Sequence, residues 1–524
     1  MKDNILNAKI KNYIFVFLSV LLIFINIPIA LKVGIIGGDL SSQLVIYPLL
    51  IGLFYTAYYQ YKEKNILKDS RFFFYYIFIY ISIILASLFL GLVYYPYYSQ
   101  ILEEPVNNIN HFLQIKHIFN ILGISIEDYQ LLTFWIIIKP IKKLIFNTLY
   151  MFGGAYMVYC WYKNDWGNAL KICCLSIVIC FLFIFSYSII ELFYLGGSAS
   201  AEVMLMKINP YIHVIKENST WWPPLLWPNQ LRSVFAEPSY FGIFAAFALP
   251  FLWYKLVCSK KYIYFFMITT FSFLLFLTKA RTAFMLHLGE LFLLIVFTLL
   301  YLRNKEYMKR IAVIFICSIM AFITSNLFIA NVIDKHEQKI STMQAVTKYV
   351  DSNAASLANP DSRSNRARYS LVEADLKIGL EHPLLGVGMG LRNAYMPNYF
   401  SNRALENNEI KMWMEFQKKL GILNFGFPML GEYTSRFAET GILGLICFLV
   451  PPFYLLYNIF KKLRFLSMKE RLPYIMYVIS LLGIMASGIG DTLNITYCYW
   501  LLLGLGYAMC FGKKYNDKDA YERT

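Results

Sequence analysis

Apolar residues in this chain run in blocks of about 20, parted by short polar breaks, over most of its 524 positions. A hydrocarbon core of roughly 30 Å takes about 20 apolar residues in helical form. Twelve blocks reach that scale, centred near residues 22, 51, 84, 152, 182, 248, 270, 291, 321, 448, 480 and 502. Each predicts a helix, because lipid offers no partner to free backbone groups and the blocks are too long for barrel strands. The expected fold is therefore an all-α polytopic membrane protein. The pattern changes in one place, residues 333–436, which are polar and charged. The chain thus divides into spans one to nine over 1–332, a long loop over 333–436, and spans ten to twelve with a tail over 437–524.

Two stretches of the loop carry helical periodicity. Between a capping Ser364 and a helix-stopping Pro383, residues 364–381 place Leu371, Ala374 and Ile378, with Val372 and Leu376 beside them, on one broad face. Residues 405–420 place Ile410, Trp413, Phe416 and Leu420 on one side. Elsewhere, Leu131 to Ile138 is apolar but too short to span, which predicts an interfacial or re-entrant helix.

Charge sets the orientation. With the N-terminus inside, the short inner segments hold 25 of the 48 basic residues and the outer ones other than the long loop hold ten. Both termini are then expected in the cytoplasm and the long loop outside the cytoplasmic membrane. The net charge of +16 is accounted for by topology, and no basic stripe on a soluble face points to nucleic acid. The expected outer segments carry none of the nine cysteines, so neither a disulfide framework nor a Cys-based zinc site is expected there. The run from Trp221 to Pro228 suits a headgroup-level aromatic belt or, alternatively, a carbohydrate-stacking surface.

Three clusters sit at the expected outer ends of spans, each just before a helix that runs inward. They are Arg232 to Gly242, Thr278 to Thr282 and Phe437 to Gly441. A helix N-terminus offers free N–H groups and partial positive charge to an anion, and arginine adds paired donors. Lys279 and Arg281 stand against both the macrodipole and the positive-inside trend, which predicts an anion that offsets their cost. Glu439 reads equally as a carboxylate that simply suits a first helical turn. His382, before Pro383, reads first as a helix end, and glycines 386, 388 and 390 as a tight turn.

The order and spacing of Arg232, Phe235-x-Glu237-Pro238-Ser239, Thr278-Lys279-Ala280-Arg281-Thr282, Arg366 through Glu381-His382-Pro383-Leu384-Leu385-Gly386-Val387-Gly388-x-Gly390, and Ala438-Glu439-Thr440-Gly441 resembles the O-antigen polymerase and O-antigen ligase superfamily, across roughly residues 230 to 450. The resemblance implies a GT-C-type membrane glycosyltransferase without cofactor or metal. It would move glycan from an undecaprenyl pyrophosphate carrier to an acceptor at the outer face of the cytoplasmic membrane. It further implies pyrophosphate contacts from Arg232 and Arg281, with Lys279, Arg363, Arg366 and Arg368 as additional binders and Arg366 nearest the family pattern. Expected partners are the carrier-linked glycan as donor and acceptor, membrane lipid, a chain-length regulator and a flippase. Ligases of this superfamily typically carry His-Asn where this chain has Leu430-Gly431, which favours a polysaccharide polymerase. Glu237 and Glu432, with His382 behind them, are the candidate bases. The alternatives are a ligase, a protein O-oligosaccharyltransferase, or a flippase, for which Glu191 and Glu290 would be the intramembrane groups.

Overall fold

The computed structural model describes residues 2–25, 43–63, 71–103, 112–213, 229–259, 261–333, 347, 363–493 and 498–513. Its principal helices are α1 (Lys2–Leu21), α2 (Ile46–Glu63), α3 (Arg71–Val93), α4 (Asp128–Thr148), α5 (Gly154–Tyr162), α6 (Trp166–Leu195), α7 (Ala199–Ile212), α8 (Pro238–Cys258) and α9 (Tyr262–Leu277). They continue with α10 (Arg281–Tyr301), α11 (Lys305–Phe328), α12 (Arg363–Glu381), α13 (Arg392–Tyr399), α14 (Asn408–Leu420), α15 (Glu432–Leu463), α16 (Met468–Ser487) and α17 (Cys498–Phe511). No strand occurs among the described residues.

Six of these, α3, α6, α8, α10, α11 with its π-helical extension to Ile333, and α15, are long and apolar enough to cross a bilayer, and α9 and α17 are shorter apolar helices. Against the twelve spans expected, six helices of spanning length and two shorter apolar ones stand among the described residues. Over the first predicted block the helix begins at Lys2 and ends at Leu21. Leu131 to Ile138 is not a separate re-entrant piece. It opens α4, which runs through a π-helical turn at Leu149–Gly153 into α5, with helical backbone angles at Thr148 and Gly154.

Helices α8, α10 and α16 pack on one another as the centre of the bundle. Pro238 supplies a preset φ at the first position of α8, and the helix is buried all round, from Phe241 to Trp253. Small residues set the spacing: a Cβ on Gly242 would come within 2.5 Å of Ala283. Glu290 is buried in this core beside Gly483, with both carboxylate oxygens lacking a hydrogen-bond partner among the described residues. Glu191 has another task, since its carboxylate accepts the backbone N–H groups of Arg232 (3.2 Å) and Ser233 (2.7 Å) and fixes the turn before α8.

The loop region forms its own apolar core on α12 and α13. Leu371, Ala374 and Ile378 are buried as their spacing requires, whereas Leu376 is exposed. On α14 the buried positions are Ile410 and Gln417, while Phe416 and Leu420 face outward. Gln417 replaces the expected apolar contact because its amide donates to the Asn393 carbonyl at 2.9 Å. A buried ion pair, Arg392 with Asp375, ties α12 to α13, and Ser435 donates to the other Asp375 oxygen at 2.8 Å. α12 then lies along the start of α15.

Candidate functional site

The glycine-rich segment 383–390 and the start of α15 turn out to be two halves of one backbone junction. α15 is broken at Gly441, whose φ is 63°. A break in a helix frees donors on one side and acceptors on the other, and in a membrane bundle these must be met within the protein. Here Ile442 N–H donates to the Pro383 carbonyl (2.8 Å) and Leu443 N–H to that of Leu384 (3.3 Å). In return Val387 and Gly388 N–H donate to the Ala438 and Glu439 carbonyls, each at 2.9 Å. Ser87 of α3 gives the Glu439 carbonyl a further bond. The approach leaves no room for side chains, since a Cβ on Gly386 or Gly441 would lie 2.5 or 2.3 Å from backbone atoms. Glu439 accepts Gly390 N–H at 3.1 Å. This is a structural joint, with its glycines in the left-handed region for close approach.

The charged groups gather instead where α8 and α10 begin and α16 ends. Arg281, first residue of α10, donates from Nη1 to Asn365 Oδ1 of α12 at 2.7 Å. One turn along, Arg368 donates to the Gly490 carbonyl at 2.8 Å. The two guanidiniums lie within electrostatic range of each other. Arg368 also acts on two carboxylates, Glu237 at the N-cap of α8 and Asp491 just beyond α16. Burial pushes the Glu237 carboxyl up from its usual range, opposed by Arg368 and by the Ser239 hydroxyl at 3.4 Å. Burial pushes Asp491 further, to about 7, against the pull of the Thr492 N–H and Arg368, with Glu237 and Glu432 reinforcing the rise.

Glu432 is buried nearby, but both its oxygens are engaged. One accepts Arg436 Nε and the other the Leu493 N–H at 3.0 Å. Glu432 N–H in turn donates to the Gly488 carbonyl at 2.8 Å. The residue therefore holds the 488–493 turn in which Asp491 sits. Arg436 is fixed as well, by the Tyr80 hydroxyl at 2.9 Å and by the Phe448 ring 3.8 Å below its guanidinium.

The remaining expected site residues are placed as follows. Arg232 lies next to the end of α9 through its neighbour, since Leu231 N–H donates to the Leu277 carbonyl at 3.1 Å. Its side chain is buried toward Tyr187, Glu191 and His213, and its Nε and Nη2 have no hydrogen-bond partner among the described residues. His213 is held neutral there, first by burial and then by the Arg232 charge. Lys279 occupies the left-handed turn between α9 and α10, at φ 48°. Arg366 turns away and pairs with Glu406 at 3.6 Å. The side chain of Arg363 and the run from Trp221 to Pro228 lie outside the described residues. His382 is exposed at the opposite end of α12, about 20 Å from Arg368 at 1.5 Å per helical residue.

Asp491 and Asn365 were not singled out from sequence. The available signal for Asp491 was Gly488-x-Gly490-Asp491 between two apolar blocks, an acid at the mouth of a helix pair. Asn365 gave none, for its role depends on where α12 lands. With no group of three or more metal-ligating side chains among the described residues, the cluster is one of arginines and carboxylates. Such a set can bind a diphosphate and accept a proton.

Residues 265–412 match a family model described as O-antigen ligase. The match supports the superfamily resemblance, and it covers Lys279, Arg281, Arg363, Arg366, Arg368 and His382. Arg232, Glu237, Glu432 and Asp491 lie outside it. No curated protein and no solved structure matches the chain significantly.

Proposed function

We propose that this protein is a membrane glycosyltransferase of GT-C type with twelve spans, polymerising polyprenyl-pyrophosphate-linked repeat units into surface polysaccharide at the outer face of the cytoplasmic membrane. The observation that carries the reading is the meeting of Arg281 and Arg368 with Glu237 and Asp491 at one end of the α8–α10–α16 core. Arg281 and Arg368, with Lys279 and Arg232 behind them, hold the diphosphate. The acceptor hydroxyl gives its proton to the Glu237–Asp491 pair as its oxygen attacks the anomeric carbon. The bond from that carbon to the diphosphate oxygen breaks, and its electron pair leaves with the diphosphate. Fixed guanidiniums stabilise the charge developing on that oxygen.

A carboxyl that titrates near neutrality is suited to this proton transfer, and since the two carboxylates share Arg368 their apparent values belong to the pair. Glu432 is a positioning residue in this scheme. Polymerisation is preferred to ligation because Leu430-Gly431 stands where ligases carry His-Asn, and His382 is about 20 Å from Arg368. The name of the matched family keeps ligation as the second reading.

Deleting the gene and resolving surface polysaccharide on a gel tests the proposal. Single repeats exported without long chains support polymerisation, long unattached chains support ligation, and carrier-linked units trapped inside would indicate a flippase. Complementation with Arg281→Ala is expected to lower polymer synthesis by about 100-fold at an unchanged protein level. Normal long chains from that variant would remove the diphosphate assignment.

A further inference from the structure

An open cleft lies at the other end of α12. It is a cleft of about 630 Å³ between the segment after α3, the end of α12 and α13. Tyrosines line it: Tyr94 and Tyr97 from the first, Tyr395 and Tyr399 from α13. Tyr97 and Tyr395 meet edge to face at 4.9 Å, and His382 meets Tyr395 in the same manner at 6.0 Å. The Asn398 amide donates to the Tyr97 hydroxyl at 2.8 Å, and the Tyr399 hydroxyl donates to Glu381 at 2.5 Å. These contacts fix the rings. They leave one Glu381 oxygen, the Asn398 amide oxygen and the His382 ring nitrogens without a hydrogen-bond partner among the described residues.

We infer that this cleft binds a stretch of the substrate glycan, several sugars away from the diphosphate; the inference rests on the transferase reading above. A sugar ring has an apolar C–H face and a rim of hydroxyls. Aromatic rings suit the first, while a carboxylate, an amide and an imidazole, which accept and donate, suit the second. The volume lies within the range of about 300–1,000 Å³ usual for small-ligand sites. An acyl chain fits poorly against so many charged and polar groups, and a peptide would call for a sheet edge or an apolar groove. Lys377 pairs with Glu373 at 2.7 Å beside Glu381, so the lining does not select an anion. The cleft and the arginine cluster occupy the two ends of one rigid helix, about 20 Å apart. A chain held by its diphosphate at one end of α12 can therefore lie along the helix to the other. This gives His382 a sugar-binding role and removes it from the chemistry.

The test uses the full-length protein in lipid nanodiscs. The probe is a lipid-free oligosaccharide released by mild acid from the producing cell's own surface polysaccharide, with binding read by saturation-transfer NMR. Wild type and Arg281→Ala are expected to bind alike. Tyr97→Ala with Tyr399→Ala is expected to bind about tenfold more weakly, while Tyr399→Phe stays within about fivefold, the worth of one hydrogen bond. The Ala pair should also shift the polymer toward shorter chains at an unchanged melting temperature. Equal binding by wild type and the Ala pair, absence of binding by wild type, or equal loss in Arg281→Ala would each overturn the cleft assignment. Because the probe carries no diphosphate, the binding result stands even if gene deletion refutes polymerisation. Binding confined to carrier-linked glycan would likewise count against it.

Discussion

At one end of the bundle, two interruptions of helix are built in opposite ways. Where α15 breaks at Gly441, the Ala438 and Glu439 carbonyls and the Ile442 and Leu443 N–H groups meet partners from 383–388, and the glycines leave no space between the two segments. Where α16 stops before Asp491, a carboxyl is buried against the pull of solvent, two other acids lie within electrostatic range, and two guanidiniums lie within electrostatic range of each other. The first region is at rest. The second holds charge that the protein alone leaves poorly balanced, which is the condition expected of a group of residues awaiting an anion and a proton. The glycine-rich run is the more conspicuous pattern in the sequence, yet its glycines and N–H groups are consumed by fit. Conspicuous spacing marked the joint, and scattered single residues make the proposed site.

The largest effect should come from breaking the joint. Gly441→Val places a Cβ 2.3 Å from the Leu384 backbone at a positive φ. The expected cost is at least about 3 kcal/mol, combining backbone strain and overpacking. Thermal unfolding of the purified protein should show it, and an unchanged melting temperature would mean that the joint is not closed as described.

Next comes Asp491→Asn, expected to cut the polymerisation rate by about 100-fold or more while leaving the fold intact. In wild type the acid limb of the rate profile should have its midpoint near the pair's titration at about 7, and the variant should flatten it. Stability supplies the sign. The folded carboxyl titrates at about 7 and the unfolded one at roughly 3.9, so between those values the folded state binds more protons. Stability contributed by protonated Asp491 is complete below the unfolded value and is lost as pH rises through about 7. Asp491→Asn should therefore unfold at a higher temperature than wild type at pH 8 and approach it at pH 4. A variant less stable than wild type at pH 8 would refute the buried-acid assignment.

The smallest effect sharpens the contrast between pattern and placement. Arg366 is the arginine nearest the family pattern, yet it pairs with the exposed Glu406, a contact worth about 0–1 kcal/mol. Arg366→Ala should lower polymer synthesis by less than about fivefold, whereas Arg368→Ala should match Arg281→Ala. Reversal of that order in a chain-length gel would return the diphosphate contact to Arg366.

Much of the fold was legible because burial in lipid acts on composition. Apolar blocks of sufficient length became helices, Pro238 opened α8, and the 3.6-residue period placed Leu371, Ala374 and Ile378 inward. Reach along the chain was less legible. Leu131 to Ile138 looked isolated because basic and polar residues follow it, yet α4 continues through them into α5.

By itself the sequence determined a multi-helix membrane protein, a resemblance to one superfamily and a set of candidate residues, since these follow from local composition and short-range order. Tertiary structure decided which residues do what. Glu432 and Asp491 are both acids near helix ends, and nothing local distinguishes them. Glu432 is met by Arg436 and the Leu493 N–H, while Asp491 is buried with the Thr492 N–H as donor and Arg368, Glu237 and Glu432 within electrostatic range. Arg366 and Arg368 stand two positions apart on α12, and the turn of the helix sends one to Glu406 and the other to Gly490 and the two carboxylates. Those differences arise from which element packs opposite each side chain, a long-range fact that no local pattern encodes.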